Sequence, residues 1–287
     1  MKRMGELLLK SPAKVNLRLE ILRKRKDGYH ELRTIFQKID LQDTLLFSLR
    51  KRKGISISTD HPSLPLGRKN LIDRAARSIL KRSGNQGGVC IHIEKRIPIG
   101  AGLGGGSSNA AATLKGVNRL LEAGLSKKEL RMIGLKIGAD VPFFFREGAA
   151  IGTGIGERLN KITLPDLWFV LIYPNFEVST RWAYQHFILT KKEFHIKLHG
   201  FINTPKKISR LLRNDLEEVV SRKYPQINTM KKILLSAGTL GTLMTGSGPT
   251  VFGIFSGERK ASEAYTQVKK MVRRKGWTVL KAHSLPA

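Results

Sequence analysis

Apolar and polar residues alternate cleanly near the start of the chain. Val15, Leu17, Leu19 and Ile21 alternate with Lys14, Asn16, Arg18 and Glu20, the period-two pattern of a strand with two unlike faces. Leu7 to Leu9 reads as a shorter strand, separated from it by a break at Ser11-Pro12-Ala13. Lys26-Asp27-Gly28 is a turn signal. Residues 35 to 49 read as another strand and Ile55 to Ser58 as a further one. Three or four strands with no helix between them predict antiparallel pairing. Lys14 and Asn16 project from the same face, where surface decoration is the commoner explanation unless a ligand covers it.

The period then changes. Asn70 caps a helix with Leu71, Ala75 and Ile79 beside Ile72, Ala76 and Leu80, stopped near Gly84. Val89, Ile91 and Ile93 alternate with Cys90, His92 and Glu94 as a half-buried strand, and Ala110, Leu114, Val117 and Leu121 return to helical spacing. Ser126 and Glu129 form a capping box ahead of Leu130, Ile133 and Ile137, and that helix ends at Gly138. A strand from Ala149 to Gly152 leads through Gly154 and Gly156 to a strand from Leu167 to Tyr173, with a domain boundary near residue 160 that divides the chain into 1–160 and 161–287. The second half reads β-α-α-α-β-α-β. Ser179 caps a short helix through Phe187, and Pro205 opens a longer one to Arg222. A third helix runs from Gln226 to Ala237. A second glycine-rich turn (Leu243 to Thr250) precedes the strand Val251 to Phe255, and a helix from Glu258 to Lys275 and a strand from Trp277 to Ala282 follow. Residues 188 to 204 read as irregular.

Composition narrows the classes. The 287 residues, 41% of them hydrophobic, suffice for a sizeable core in one large domain or two ordinary ones. No apolar run reaches the ~18 residues of a membrane helix, and the first residues carry no secretory pattern. One cysteine, Cys90, excludes a disulfide framework and a cysteine-rich metal site, so a reducing cytoplasm is the default expectation. The net charge of +30 suggests an anionic partner such as nucleic acid, a membrane surface or a phosphorylated substrate. The cations are scattered without the interleaved aromatics of a single-strand binding surface. They suit a generally basic protein equally well.

The most informative stretch joins the strand ending at Glu94 to the helix that follows. It reads Pro98, Ile99, Gly100, Ala101, Gly102, Leu103, Gly104, Gly105, Gly106, Ser107, Ser108. Glycines allow positive φ and close approach of a ligand, and unpaired N–H groups at a helix start attract anions. Glycine-rich stretches also serve as linkers and tight turns, but the strand before and the helix after favour a phosphate cradle. The loop lacks the lysine of the Walker pattern, and it does not fit the dinucleotide fingerprint with its acidic residue about 20 positions on. Asp140 lies just past a helix end and before the apolar run Val141 to Phe145. Such a residue is often only a turn former, but partial burial at the core's edge suits a carboxylate to accept a proton.

Three segments together carry a resemblance. Pro98 to Ser108 resembles the phosphate-binding motif of the GHMP kinases, the superfamily of galactokinase, homoserine kinase and mevalonate kinase. Ser11 to Leu17 and Gly246 to Phe252 are similar to its first and third motifs. Asp27 to Leu32, Ala139 to Phe144 and Asn214 to Glu217 resemble one branch of it, which acts on a small molecule carrying a cytidine diphosphate group. The resemblance implies a two-domain α+β fold: an N-terminal half similar to the second domain of ribosomal protein S5, packed on a ferredoxin-like C-terminal half. It implies ATP as co-substrate, with magnesium, and phosphorylation of an alcohol. By position Lys14 and Asp140 match the catalytic pair, residues 98 to 108 the ATP loop, Asn16 a substrate contact, and Tyr29 and His30 the cytosine pocket. Tyr184 matches the opposite aromatic wall, with Phe187 as competitor. It implies no membrane partner and no specific nucleic acid. A basic RNA-binding module, or a kinase of homoserine or mevalonate type, is the alternative reading.

Overall fold

The computed structural model describes residues 6–84, 87–189 and 203–286. They form two compact units that interleave along the chain. Two long strands, β1 (Glu6–Lys24) and β2 (His30–Arg50), contribute residues to both. The expected break at Ser11-Pro12-Ala13 does not occur, and β1 runs through it. The expectation of surface polarity is also overturned, because Lys14, Asn16, Arg18 and Glu20 are all buried. Alternation of polarity gave the two faces of this strand correctly, but not the covering of both.

The first unit holds residues 1–13, 41–99 and 104–146. It contains β3 (Gly54–Thr59), α1 (Leu71–Ser83), β4 (Gly88–Glu94), α2 (Gly105–Leu120) and α3 (Lys127–Ile137). The end of β2 pairs antiparallel with β4. β3 pairs parallel with β4, not in an antiparallel set with the first strands, because α1 intervenes as a crossover connection. Asn70 caps α1 by accepting from the Ile72 amide at 2.9 Å, and Gly84 ends it in the left-handed conformation. Both arms of the capping box at Ser126 and Glu129 form. The core joins Leu45 and Phe47 of β2 and Val89, Ile91 and Ile93 of β4 to the apolar faces of the helices. Gly116 of α2 lies so close to Phe47 that a Cβ there would stand 2.8 Å from the ring.

The second unit holds residues 14–40, 100–103 and 147–287. The first part of β2 pairs with β5 (Ala149–Gly154), and β5 with β6 (Arg158–Ile162), a strand that the polar Arg-Leu-Asn-Lys sequence hid. The unit continues with β7 (Trp168–Tyr173), α4 (Thr180–Gln185), α5 (Pro205–Ser209), β8 (Arg213–Asn214), α6 (Asp215–Lys223) and α7 (Gln226–Ser236). It ends with β9 (Gly241–Met244), β10 (Val251–Phe255), α8 (Glu258–Val272) and β11 (Thr278–His283). A separate sheet has the antiparallel order β11-β7-β10-β9, which is the ferredoxin-like arrangement of a βαββαβ unit. The single helix expected from Pro205 to Arg222 is two. Arg213 and Asn214 leave the helix to pair with Arg18 and Leu19 of β1, and Asn214 then caps α6 by accepting from the Leu216 amide. Most of the segment read as irregular, 190–202, lies outside the described residues.

Candidate active site

The second unit gathers residues from three distant motifs around one ammonium group. Lys14 Nζ donates to Asn16 Oδ1 at 2.5 Å and to the Gly102 carbonyl at 3.1 Å, and it stands 5.7 Å from the centre of the Phe36 ring. The Lys14 amide donates to the Leu103 carbonyl at 2.9 Å. Asn16 donates through Nδ2 to Thr34 Oγ1 at 2.8 Å, and its amide is bound by Thr245 Oγ1 at 3.0 Å. Lys14 is only 3% and Asn16 only 2% exposed. Burying a cation and an amide is costly unless every polar atom finds a partner, and here strands and turns supply them.

Two glycines allow this approach. Gly102 has φ +77°, and a Cβ on it would strike the Thr245 carbonyl and stand 2.9 Å from the Gly248 carbonyl. Gly246 has φ +57°, and a Cβ there would stand 3.2 Å from Lys14 Nζ and 3.4 Å from Asn16 Oδ1. Asn214 Nδ2 fixes that turn from beneath, donating at 2.7 Å to both the Met244 and Gly246 carbonyls. Beyond Asn16 the same strand face carries Arg18 and Glu20. Glu20 binds Arg18 at 2.6 Å and Arg33 at 2.7 Å. Burial pushes its carboxyl upward, but the two guanidinium groups outweigh this and hold it below the usual range.

The predicted cytosine-pocket residues lie in the same unit. The rings of His30 and Tyr184 stack with centroids 5.4 Å apart at 26°, while Tyr29 is 58% exposed. Phe187 packs on the core of the unit. Burial, with the charge of Lys24, pushes the His30 imidazole below its ordinary value, so at neutral pH it is uncharged and offers one donor and one acceptor.

The first unit carries the start of α2 and Asp140. Gly104 takes the N-cap position at φ 71° with no side-chain cap, and α2 begins at Gly105, so the last two loop glycines belong to its first turn. That turn therefore presents backbone N–H groups unclaimed by a capping side chain, at the positive end of a four-turn helix. Ser108 is buried and its hydroxyl accepts from Ser11 at 2.7 Å. Ser107 is half-exposed, and its Oγ lies 3.7 Å from where a Cβ on Gly138 would stand. Two residues on, half-buried Asp140 stands at the N-cap position of a 3-10 turn, Val141–Phe145, whose five side chains are all buried. Lys115 Nζ holds that turn by donating to the Phe144 carbonyl at 3.2 Å, over the Phe145 ring.

Sequence reasoning missed the brace beneath the loop. Asp43, 0% exposed, accepts from Lys95 Nζ, the Arg96 and Ile97 amides and Asn109 Nδ2. The signal was present: Asp43 falls on the face of β2 otherwise occupied by Ile39, Leu45 and Phe47, where a polar residue is out of pattern.

A glycine-rich helix start and a partly buried aspartate in the first unit, with a buried lysine in the second, are the residue types of one class, a phosphate-handling enzyme. Comparison with known proteins agrees. The model of the GHMP kinases N terminal domain matches residues 70–148, and that of the GHMP kinases C terminal matches residues 197–274. A 4-diphosphocytidyl-2-C-methyl-D-erythritol kinase of Geobacter sulfurreducens is 46% identical over 96% of this chain and 97% of its own. A crystal structure of 4-(cytidine 5'-diphospho)-2C-methyl-D-erythritol kinase superposes with a TM-score of 0.83 at 34% identity, covering 98% of this chain and 100% of that one. Homoserine kinase from Cytophaga hutchinsonii shares the fold, with a TM-score of 0.76 at 22% identity over 100% and 96% of the two chains. The chain belongs to the GHMP kinases and, within them, to the family of 4-diphosphocytidyl-2-C-methyl-D-erythritol kinases. It is an enzyme, a phosphotransferase with an alcohol group as acceptor.

Proposed function

We propose that the chain transfers the γ-phosphoryl group of ATP to the 2-hydroxyl of 4-diphosphocytidyl-2-C-methyl-D-erythritol, giving the 2-phosphate and ADP. The reaction is a step of the non-mevalonate route to isoprenoid precursors. The observation that carries this reading is the buried convergence of Lys14 and Asn16 on the turns at Gly102 and Gly246. Phosphoryl transfer is mostly positioning and electrostatic stabilisation, and these residues supply both.

The loop from Pro98 to Ser108 holds the ATP phosphates through backbone N–H groups. Lys14 offsets the negative charge that develops on the reacting oxygens, and Asn16 orients the alcohol. Asp140 accepts the hydroxyl proton, its backbone held by the buried turn behind it. Tyr29 and Tyr184 supply aromatic faces for cytosine, and neutral His30 reads its hydrogen-bonding edge. Among the described residues no group of three or more His, Cys, Asp or Glu could hold a metal ion, and magnesium suits this reading as an ion that arrives with the nucleotide phosphates, with the Ser107 hydroxyl near the helix start as one oxygen it could use. When bound, that ion neutralises phosphate charge. The family's two domains divide near residue 160 in this reading, and no specific nucleic acid takes part.

Asp140→Asn tests the assignment of the base. We expect kcat to fall at least 100-fold with the circular-dichroism spectrum unchanged. A variant with near-normal kcat removes Asp140 from the role.

A further inference from the structure

A carboxylate at the centre of a strand, with no access to water, must be surrounded by donors. Asp43 has four. Its Oδ2 accepts from Lys95 Nζ at 2.5 Å and from Asn109 Nδ2 at 3.0 Å, and its Oδ1 accepts from the Arg96 amide at 2.8 Å and the Ile97 amide at 2.9 Å. Lys95 is itself 3% exposed in its side chain. These donors are not scattered. Three come from the segment that leads into the glycine loop, and the fourth comes from the second turn of the helix that leaves it. One side chain therefore grips the chain both before and after the loop.

The grip bears on the helix start at close range. A Cβ on Gly105, the first residue of α2, would stand 3.0 Å from Ile97 Cγ2 and 3.5 Å from Lys95 Nζ. The segment held by Asp43 is thus the surface against which the first helical residue rests. Asn109 shows how strong the hold is. Its amide turns Nδ2 to Asp43 although Oδ1 is left buried without a partner, which is the less favourable state for an isolated amide.

We infer that Asp43 is a positioning residue for the nucleotide: it fixes where the first-turn N–H groups of α2 point, and so sets the affinity for the phosphates. The inference rests on the reading of the loop as the ATP cradle. It assigns Asp43 no contact with ATP and no part in the chemistry, and its effect falls on one substrate alone.

The test compares wild type with Asp43→Asn, and with Asn109→Ala in case the first variant does not fold with Lys95 left unpaired. Titration calorimetry measures the binding of a non-hydrolysable ATP analogue and, separately, of the cytidine diphosphate alcohol. Hydrogen exchange follows the amides of residues 104–108 without ligand. We expect the analogue to bind about 10-fold more weakly to the folded variant, the alcohol to bind unchanged, and the 104–108 amides to exchange faster. Equal weakening toward both ligands, or unchanged binding of the analogue, overturns the inference. Failure of wild type to bind the analogue at all refutes instead the reading of the loop on which the inference rests.

Discussion

Lys14 Nζ and Asn16 Oδ1 lie 2.5 Å apart on one face of one strand, both almost wholly buried. The amide oxygen holds the ammonium group in place, and a cation fixed in this way can stabilise charge that develops during a reaction. Lys14→Met keeps the stem and removes the charge. We expect kcat to fall by about 10²-fold or more, the range found for removing one preorganised electrostatic partner, with the KM for ATP changed much less. Steady-state kinetics with each substrate varied in turn checks both.

Gly102→Ala has a different mechanism of damage. The position has φ +77°, and a methyl group would press on the Thr245 and Gly248 carbonyls, so the change displaces the turn that faces Lys14. Gly124 has a similar φ of +69° but nothing within 4 Å. Gly124→Ala should cost only about 1–2 kcal/mol of backbone strain and leave kcat intact. Gly102→Ala should lose more stability and at least 10-fold in kcat. Thermal melts and kinetics on the pair separate strain from collision.

Glu20 makes the acid limb of stability predictable. Its folded carboxyl is held below its ordinary value, so its stabilising contribution is complete above the unfolded value of about 4.3 and is lost as pH falls through the folded one. Glu20→Gln leaves buried Arg18 short of its partner, a change that costs about 3–5 kcal/mol in other buried pairs. Urea melts at pH 7 should show a lowered midpoint, with less of the wild-type decline between pH 5 and pH 3.

His30 sets a pH dependence of binding. Its imidazole is pushed below the ordinary value of about 6.5, so it stays neutral from pH 7 to 8, and affinity for the cytidine diphosphate substrate should be flat there. Affinity should fall only as pH drops below that ordinary value, when protonation removes the ring's acceptor. His30→Gln should abolish that fall. A midpoint above pH 7 in the wild type contradicts the burial argument.

Much of this fold could be read from local pattern. The caps at Asn70 and Ser126, the glycine turns and most strands follow from residue type and spacing, because such signals act within a few residues. What could not be read depends on what lies on top. Lys14, Asn16, Arg18 and Glu20 have the alternation of a surface strand, and only the tertiary structure shows them buried. The helix expected across residues 205–222 fails because Arg213 and Asn214 have a non-local pairing with β1. Asp43 was legible only as a polar residue on an apolar face, and its four partners lie up to 66 positions away. The motif residues could be named early because the resemblance supplied them, whereas the His30–Tyr184 stack needed coordinates.

ADP release with each candidate alcohol in turn measures which one the enzyme phosphorylates. Purified protein with ATP and magnesium should turn over 4-diphosphocytidyl-2-C-methyl-D-erythritol with a kcat/KM at least 10³-fold above that for homoserine or mevalonate, since neither carries a base for Tyr29, His30 and Tyr184. A site built around a polar base rejects analogues that lack it by such factors. Equal or greater turnover of homoserine or mevalonate, with none of the cytidyl substrate, contradicts the account.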